Sequence, residues 1–127
     1  MNSDILLEDF SKAVNRLDEA LSIEAESDLL KAGCIQYFEF CFELAWKTIK
    51  IFAEDAGQLD CTSPKSALKT AFGNQWIDDE IIWLDMLSAR NKMSHTSDSV
   101  EALCIYSRLK GFIVALKDLD NALKCLA

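Results

Sequence analysis

The sequence predicts an all-α fold: one antiparallel up-and-down four-helix bundle with an extra short helix, spanning residues 1–127 as a single domain. Three observations carry that prediction. Apolar residues recur at intervals of three and four along most of the chain. No segment alternates apolar and polar with period two, as a half-buried strand does. One Pro and four Gly among 127 residues leave few breaks, so the helices should be long. Half of the residues are hydrophobic, enough to build a real core at this length.

The first helix is expected from Ser3 to Ala25, capped by Ser3 or Asp4. Leu6, Leu7, Phe10, Val14, Leu17 and Leu21 form its apolar stripe. The second is the longest, from Asp28 to Ala56, with Ser27 as N-cap and Gly57 just past its end. Leu30, Cys34, Tyr37, Cys41, Leu44, Thr48 and Ile51 make one ridge on it; Ile35, Phe38, Phe42, Ala45, Ile49 and Phe52 make the next. Two adjacent ridges suit a helix that touches more than one neighbour. Glu39, Glu43, Lys47 and Lys50 fall on the other side, with Glu43 and Lys47 spaced for an i,i+4 pair.

Ser63 and Pro64 announce a short third helix, which Gly73 ends. The fourth starts at Asp78 or Asp79, carries Ile82, Trp83, Met86 and Leu87, and must stop before Thr96-Ser97-Asp98-Ser99. In the fifth helix Asp98 and Glu101 are spaced as a capping box. Its stripe runs Ile105, Leu109, Phe112, Leu116, Leu119, Leu123, Leu126. Gly111 within it either weakens the helix by about 1 kcal/mol relative to Ala or permits a close helix contact.

A formal net charge of −8 and a pI near 4.5 make most of this surface repel a phosphate backbone. Contact with RNA needs a local basic patch or a partner. Five cysteines, an odd number, and an N-terminus without a basic and then apolar leader point to a cytoplasmic location and free, mostly buried thiols. No stretch is apolar enough for a membrane span.

The chain has one histidine, His95, within Arg90-Asn91-Lys92-Met93-Ser94-His95. A histidine moves a proton near neutral pH, and an arginine can hold a phosphate and stabilise developing negative charge. Asn91 can orient a phosphate or the imidazole. The plainer reading makes His95 a helix C-terminal cap. On a helix Asn91 and His95 share a face, whereas Arg90 and His95 point about 140° apart. Joint action needs a helix break near Ser94, a long Arg side chain swung round, or a second chain. RNA cleavage by acid–base chemistry also wants two proton-transfer groups, which a symmetric dimer would supply.

Other chemistries lack their residues. No Glu-x-x-His pair suits a di-iron bundle, because Lys92 stands three before His95. No C-x-x-C motif suits zinc, and there is no Gly-rich phosphate loop. No metal or cofactor is expected. Trp46, Trp76 and Trp83 read better as core or interface anchors than as base-stacking platforms.

Two blocks of sequence resemble a known family. The run from Gln36 to Thr48, QYFEFCFELAWKT, is similar to the long second helix of the nucleotidyltransferase substrate-binding proteins. Trp83-Leu84-Asp85-Met86-Leu87, followed by Arg90-Asn91 and Ser94-His95-Thr96, is similar to their second signature. These proteins belong to the HEPN superfamily, near the HepT-like toxins, and the resemblance covers about residues 5 to 125. It implies a helical bundle that dimerises and a separate minimal nucleotidyltransferase as partner. In the HepT-like branch it implies a toxin–antitoxin pair with a metal-independent ribonuclease site at the dimer interface. Arg90 and His95 would then be catalytic, with Asn91 supporting them and RNA as substrate. The alternative is a non-catalytic subunit that binds or presents a substrate to the nucleotidyltransferase. The family motif continues His-x-Tyr, and that Tyr is the position the partner can nucleotidylylate. Here it is Ser97, a shorter hydroxyl that can accept the group or simply cap the next helix.

Overall fold

The computed structural model describes residues 2–95 and 103–127, with Asn2, Ser94 and His95 placed by their backbone. Among the described residues there are five α-helices: α1 (Asn2–Leu21), α2 (Asp28–Asp55), α3 (Pro64–Gly73), α4 (Glu80–His95) and α5 (Leu109–Leu126). A 3-10 segment, Cys104–Arg108, leads into α5. No strand occurs among the described residues, and no helix there is long and apolar enough to cross a membrane.

The α2 helix is the hub, packing against all four of the others. Its neighbours meet it along both predicted ridges. Phe38 stacks at 5.1 Å on Phe112 of α5, and Phe42 lies 6.5 Å from Trp83 of α4. Phe38, Phe42, Ala45 and Ile49 are fully buried. On the other ridge Leu30 and Tyr37 remain exposed, while Cys34, Cys41 and Thr48 are buried. Neighbouring helices run antiparallel: Ile82 and Asp85 of α4 face Gly111 and Arg108, in reverse order. Ser11 and Asp18 of α1 face Asp120 and Lys117 of α5 in the same reversed sense.

The helix ends follow their local chemistry. Ser27 caps α2 by accepting from Leu30 N–H, and Ser63 caps α3 in a reciprocal box with Ser66. Asp79 accepts from the Ile82 N–H just ahead of α4. At the end of α2, Gly57 adopts φ +82°; its N–H bonds Glu54, and that of Gln58 bonds Ala53. That is a Schellman closure with glycine at the left-handed position.

Two boundaries differ markedly from expectation, and a third helix reverses on an unexpected residue. The α1 helix stops at Leu21, four residues before Ala25. Buried Ala25 instead donates its N–H to the Tyr106 hydroxyl at 3.1 Å, which pulls the chain out of the helical path. Although α3 does end at Gly73, its reversal falls on Gln75 (φ +62°), whose N–H bonds Phe72 while that of Trp76 bonds Ala71. Finally, the fifth helix does not run as α-helix from its predicted cap. The 104–108 turn winds tighter, with Ile105 buried, Tyr106 tied to Ala25, and Arg108 bridged to Asp85 at 2.5 Å. Tethers to separate elements over four residues favour the shorter 3-10 spacing. The Thr96–Ser99 cluster and the Asp98–Glu101 box lie outside the described residues.

Candidate functional site

The second half of α4 carries Arg90 and Asn91, whose side chains meet. Its buried side is set by Trp83, Met86 and Ala89, all at most 2% exposed. That register puts Arg90 on the flank facing α2 and Asn91 on the exposed flank. The helix continues without a break through His95, so a break near Ser94 does not reconcile the angles. The arginine side chain does part of that work. Arg90 Nη1 donates to Asn91 Oδ1 at 3.3 Å, so the guanidinium reaches the flank whose spacing Asn91 shares with His95. The His95 side chain and all of Ser97 lie outside the described residues.

The other edge of the guanidinium is held from α2. Arg90 Nη2 lies 2.6 Å from Glu43 Oε1, both side chains about one-third exposed. Glu43 Oε2 accepts the indole N–H of Trp46 at 3.0 Å, so both carboxylate oxygens are engaged. Glu39, one turn earlier on α2, completes the acidic side. Partial burial pushes its carboxyl above the ordinary value of 4.5; Arg90 opposes that shift and Glu43 adds to it. Glu39 and Glu43 thus belong to the site rather than to a plain solvated face, and Glu43 pairs across helices rather than with Lys47. The helical spacing of Glu39 and Glu43 was visible in the sequence; their partner on α4 was not.

On its exposed side Asn91 borders a shallow depression shared with Lys65 of α3 and Lys92, Ser88, Leu84 and Leu87 of α4. Two lysines from different helices line it, on a protein of net charge −8. Among the described residues no three His, Cys, Asp or Glu side chains gather as a metal site. Trp83 is buried, while Trp46 and Trp76 lie half-buried at the core margin, Trp76 edge-on to Phe52. All three are packing residues here.

With this geometry in place, comparison with known proteins places the chain. The family model described as nucleotidyltransferase substrate binding protein like matches residues 6–125. The chain belongs to this family. The nucleotidyltransferase substrate-binding match takes in both sequence blocks, and so both sides of the Arg90–Glu43 contact. A Haemophilus influenzae protein named probable ribonuclease HepT is 34% identical over 91 residues. That stretch is 68% of this chain and 62% of the relative's length. A solved H. influenzae structure, described as the substrate-binding domain of a nucleotidyltransferase, superposes with a TM-score of 0.79 at 25% identity. It covers 93% of this chain and 98% of its own. A crystal structure from Thermus thermophilus gives 0.80 at 27% identity, covering 90% and 98%.

Proposed function

We propose that this chain is the HEPN-type companion subunit of a minimal nucleotidyltransferase, working in the cytoplasm as part of a toxin–antitoxin-like pair. Its ribonuclease site, metal-independent, lies at the exposed end of α4 and is completed by a second copy. The observation that carries this reading is the reach of Arg90 to Asn91, which sets a guanidinium on the flank that leads one turn on to His95. The Lys65–Lys92 depression beside Asn91 supports RNA as the substrate, because it is the local positive surface that a chain of net charge −8 needs. The 34% identity to a probable ribonuclease HepT supports the same chemistry.

In the proposed reaction His95 takes the proton from a ribose 2′-hydroxyl, whose oxygen attacks the adjacent phosphorus. The bond to the 5′-oxygen breaks, and that oxygen takes a proton from His95 of the second copy. Arg90 stabilises the charge on the phosphoryl oxygens. A 2′,3′-cyclic phosphate and a 5′-hydroxyl result. No water or oxidant is consumed.

One observation favours a second reading, a subunit that binds a substrate for the nucleotidyltransferase without cleaving it. Arg90 is engaged by Glu43, with Glu39 close by, and two carboxylates lower the positive potential available to a phosphate. Ser97 in place of the family's Tyr fits this reading as well. Expressing the chain alone, beside His95→Ala and with or without a co-expressed nucleotidyltransferase partner, separates the two. Growth arrest and RNA cleavage by the wild type alone, relieved by the partner, support the first. Inert wild type that still forms dimers supports the second.

A further inference from the structure

We infer that Glu43, clamped by Trp46, is a positioning residue for Arg90, an inference that rests on the ribonuclease reading above. The contacts form a chain of fixed direction. The Trp46 indole N–H donates to Glu43 Oε2 at 3.0 Å, Glu43 Oε1 holds Arg90 Nη2 at 2.6 Å, and Arg90 Nη1 reaches Asn91 Oδ1 at 3.3 Å. Trp46 is half-buried against the core and sits three residues after Glu43, on the same side of α2. The carboxylate rotamer is therefore set from within its own helix before the arginine arrives. An arginine on an exposed helix end otherwise samples many rotamers; here one edge of its planar fork is fixed and the other is presented toward Asn91.

Magnitudes favour positioning over stability as the role. An ion pair with both side chains one-third exposed contributes little to folding. A misplaced catalytic group, by contrast, costs on the order of 100-fold in rate per ångström. The carboxylate's charge beside the guanidinium also opposes a phosphate bound there. A residue that opposes binding yet orients the arginine has a recognisable kinetic signature: losing it lowers kcat without raising KM.

The test compares wild type, Glu43→Ala, Glu43→Gln and Trp46→Phe in cleavage of a single-stranded RNA oligonucleotide in EDTA. Thermal midpoints and the 15N resonances of the Arg90 guanidinium are recorded alongside. Glu43→Ala is expected to lose on the order of 10- to 100-fold in kcat at unchanged or lower KM. Glu43→Gln, which keeps an acceptor oxygen, recovers a large part of that loss. Trp46→Phe, which keeps the ring and removes the N–H, shows a smaller loss and stands in if Glu43→Ala fails to fold. A folded Glu43→Ala or Trp46→Phe that cleaves as wild type overturns the proposal. If wild type itself does not cleave, the ribonuclease reading is what fails. The clamp then stands or falls on the Arg90 resonances, which should shift and broaden in Glu43→Ala and overturn it by staying in place.

Discussion

Glu39 sits one turn before Glu43 and close to Arg90, yet burial outweighs the arginine and raises its carboxyl above 4.5. A carboxyl with a raised folded pKa disfavours folding when ionised. That penalty is full above the raised value and disappears as pH falls through it toward 4.5, where both states become protonated. Glu39→Gln should therefore stabilise the protein at pH 7, with the gain shrinking in urea unfolding at pH 4. A destabilised variant at pH 7 would mean that Arg90 binds the Glu39 carboxylate more tightly than burial penalises it. The cysteines separate in the same physical terms. Burial pushes the Cys41 thiol up to about 12, and Cys34 is raised for the same reason; Cys61 is also buried, whereas Cys104 and Cys125 are exposed. A thiol-specific disulfide reagent at pH 8 should titrate two thiols rapidly in the native protein and all five after unfolding. A rapid third thiol would contradict the packing around α2. The sequence pattern predicted free thiols, which the structure has, and placed Arg90, Asn91 and His95 near one another along the chain. It did not reveal Glu43 as the arginine's holder, because that contact joins residues 47 positions apart across two helices.

At the scale of elements, capping chemistry was the most legible feature. Ser27, Gly57 and Ser63 act where residue type alone put them, since each satisfies backbone groups within four residues of itself, and Pro64 takes the first helical position, where no N–H donor is needed. What escaped was decided by distant side chains: Tyr106 ending α1 through Ala25, and Asp85 holding Arg108 in the 3-10 turn. The two Schellman closures give a matched pair of predictions. Gly57 has φ +82° and no atom within 4 Å of where a Cβ would stand, so Gly57→Ala meets only backbone strain and should lose about 1 kcal/mol. Gln75 already bears that strain at φ +62°, and Gln75→Gly should gain about 0.5–1 kcal/mol in denaturant unfolding. Gly111 behaves differently. A Cβ there would meet Ile82 Cδ1 at 3.8 Å, ordinary contact, so no close helix approach requires glycine. Gly111→Ala should raise stability by about 0.5–1 kcal/mol; a loss would show α4 and α5 packed more tightly than these distances.

For the whole molecule, the helical period and the sparse breakers were enough to read an all-α bundle, because each stripe had to be covered by another. The family resemblance supplied what periodicity could not: the order of the two signature blocks and the expectation of a partner. The fold then brings those blocks into contact, Glu43 from one and Arg90 from the other, and leaves the Asn91 flank of α4 open beside a basic depression. A net charge of −8 disfavours a phosphate backbone over most of the surface.

The Arg90–His95 end of α4 is proposed to cleave RNA without metal. The most direct test is purified protein incubated with RNA in EDTA, comparing wild type with Arg90→Ala and His95→Ala across a range of protein concentrations. Cleavage by wild type is expected, with specific activity rising as dimers form, and none by either variant. Folded, dimeric wild type that leaves RNA intact, or a His95→Ala variant that cuts as well as wild type, would contradict it.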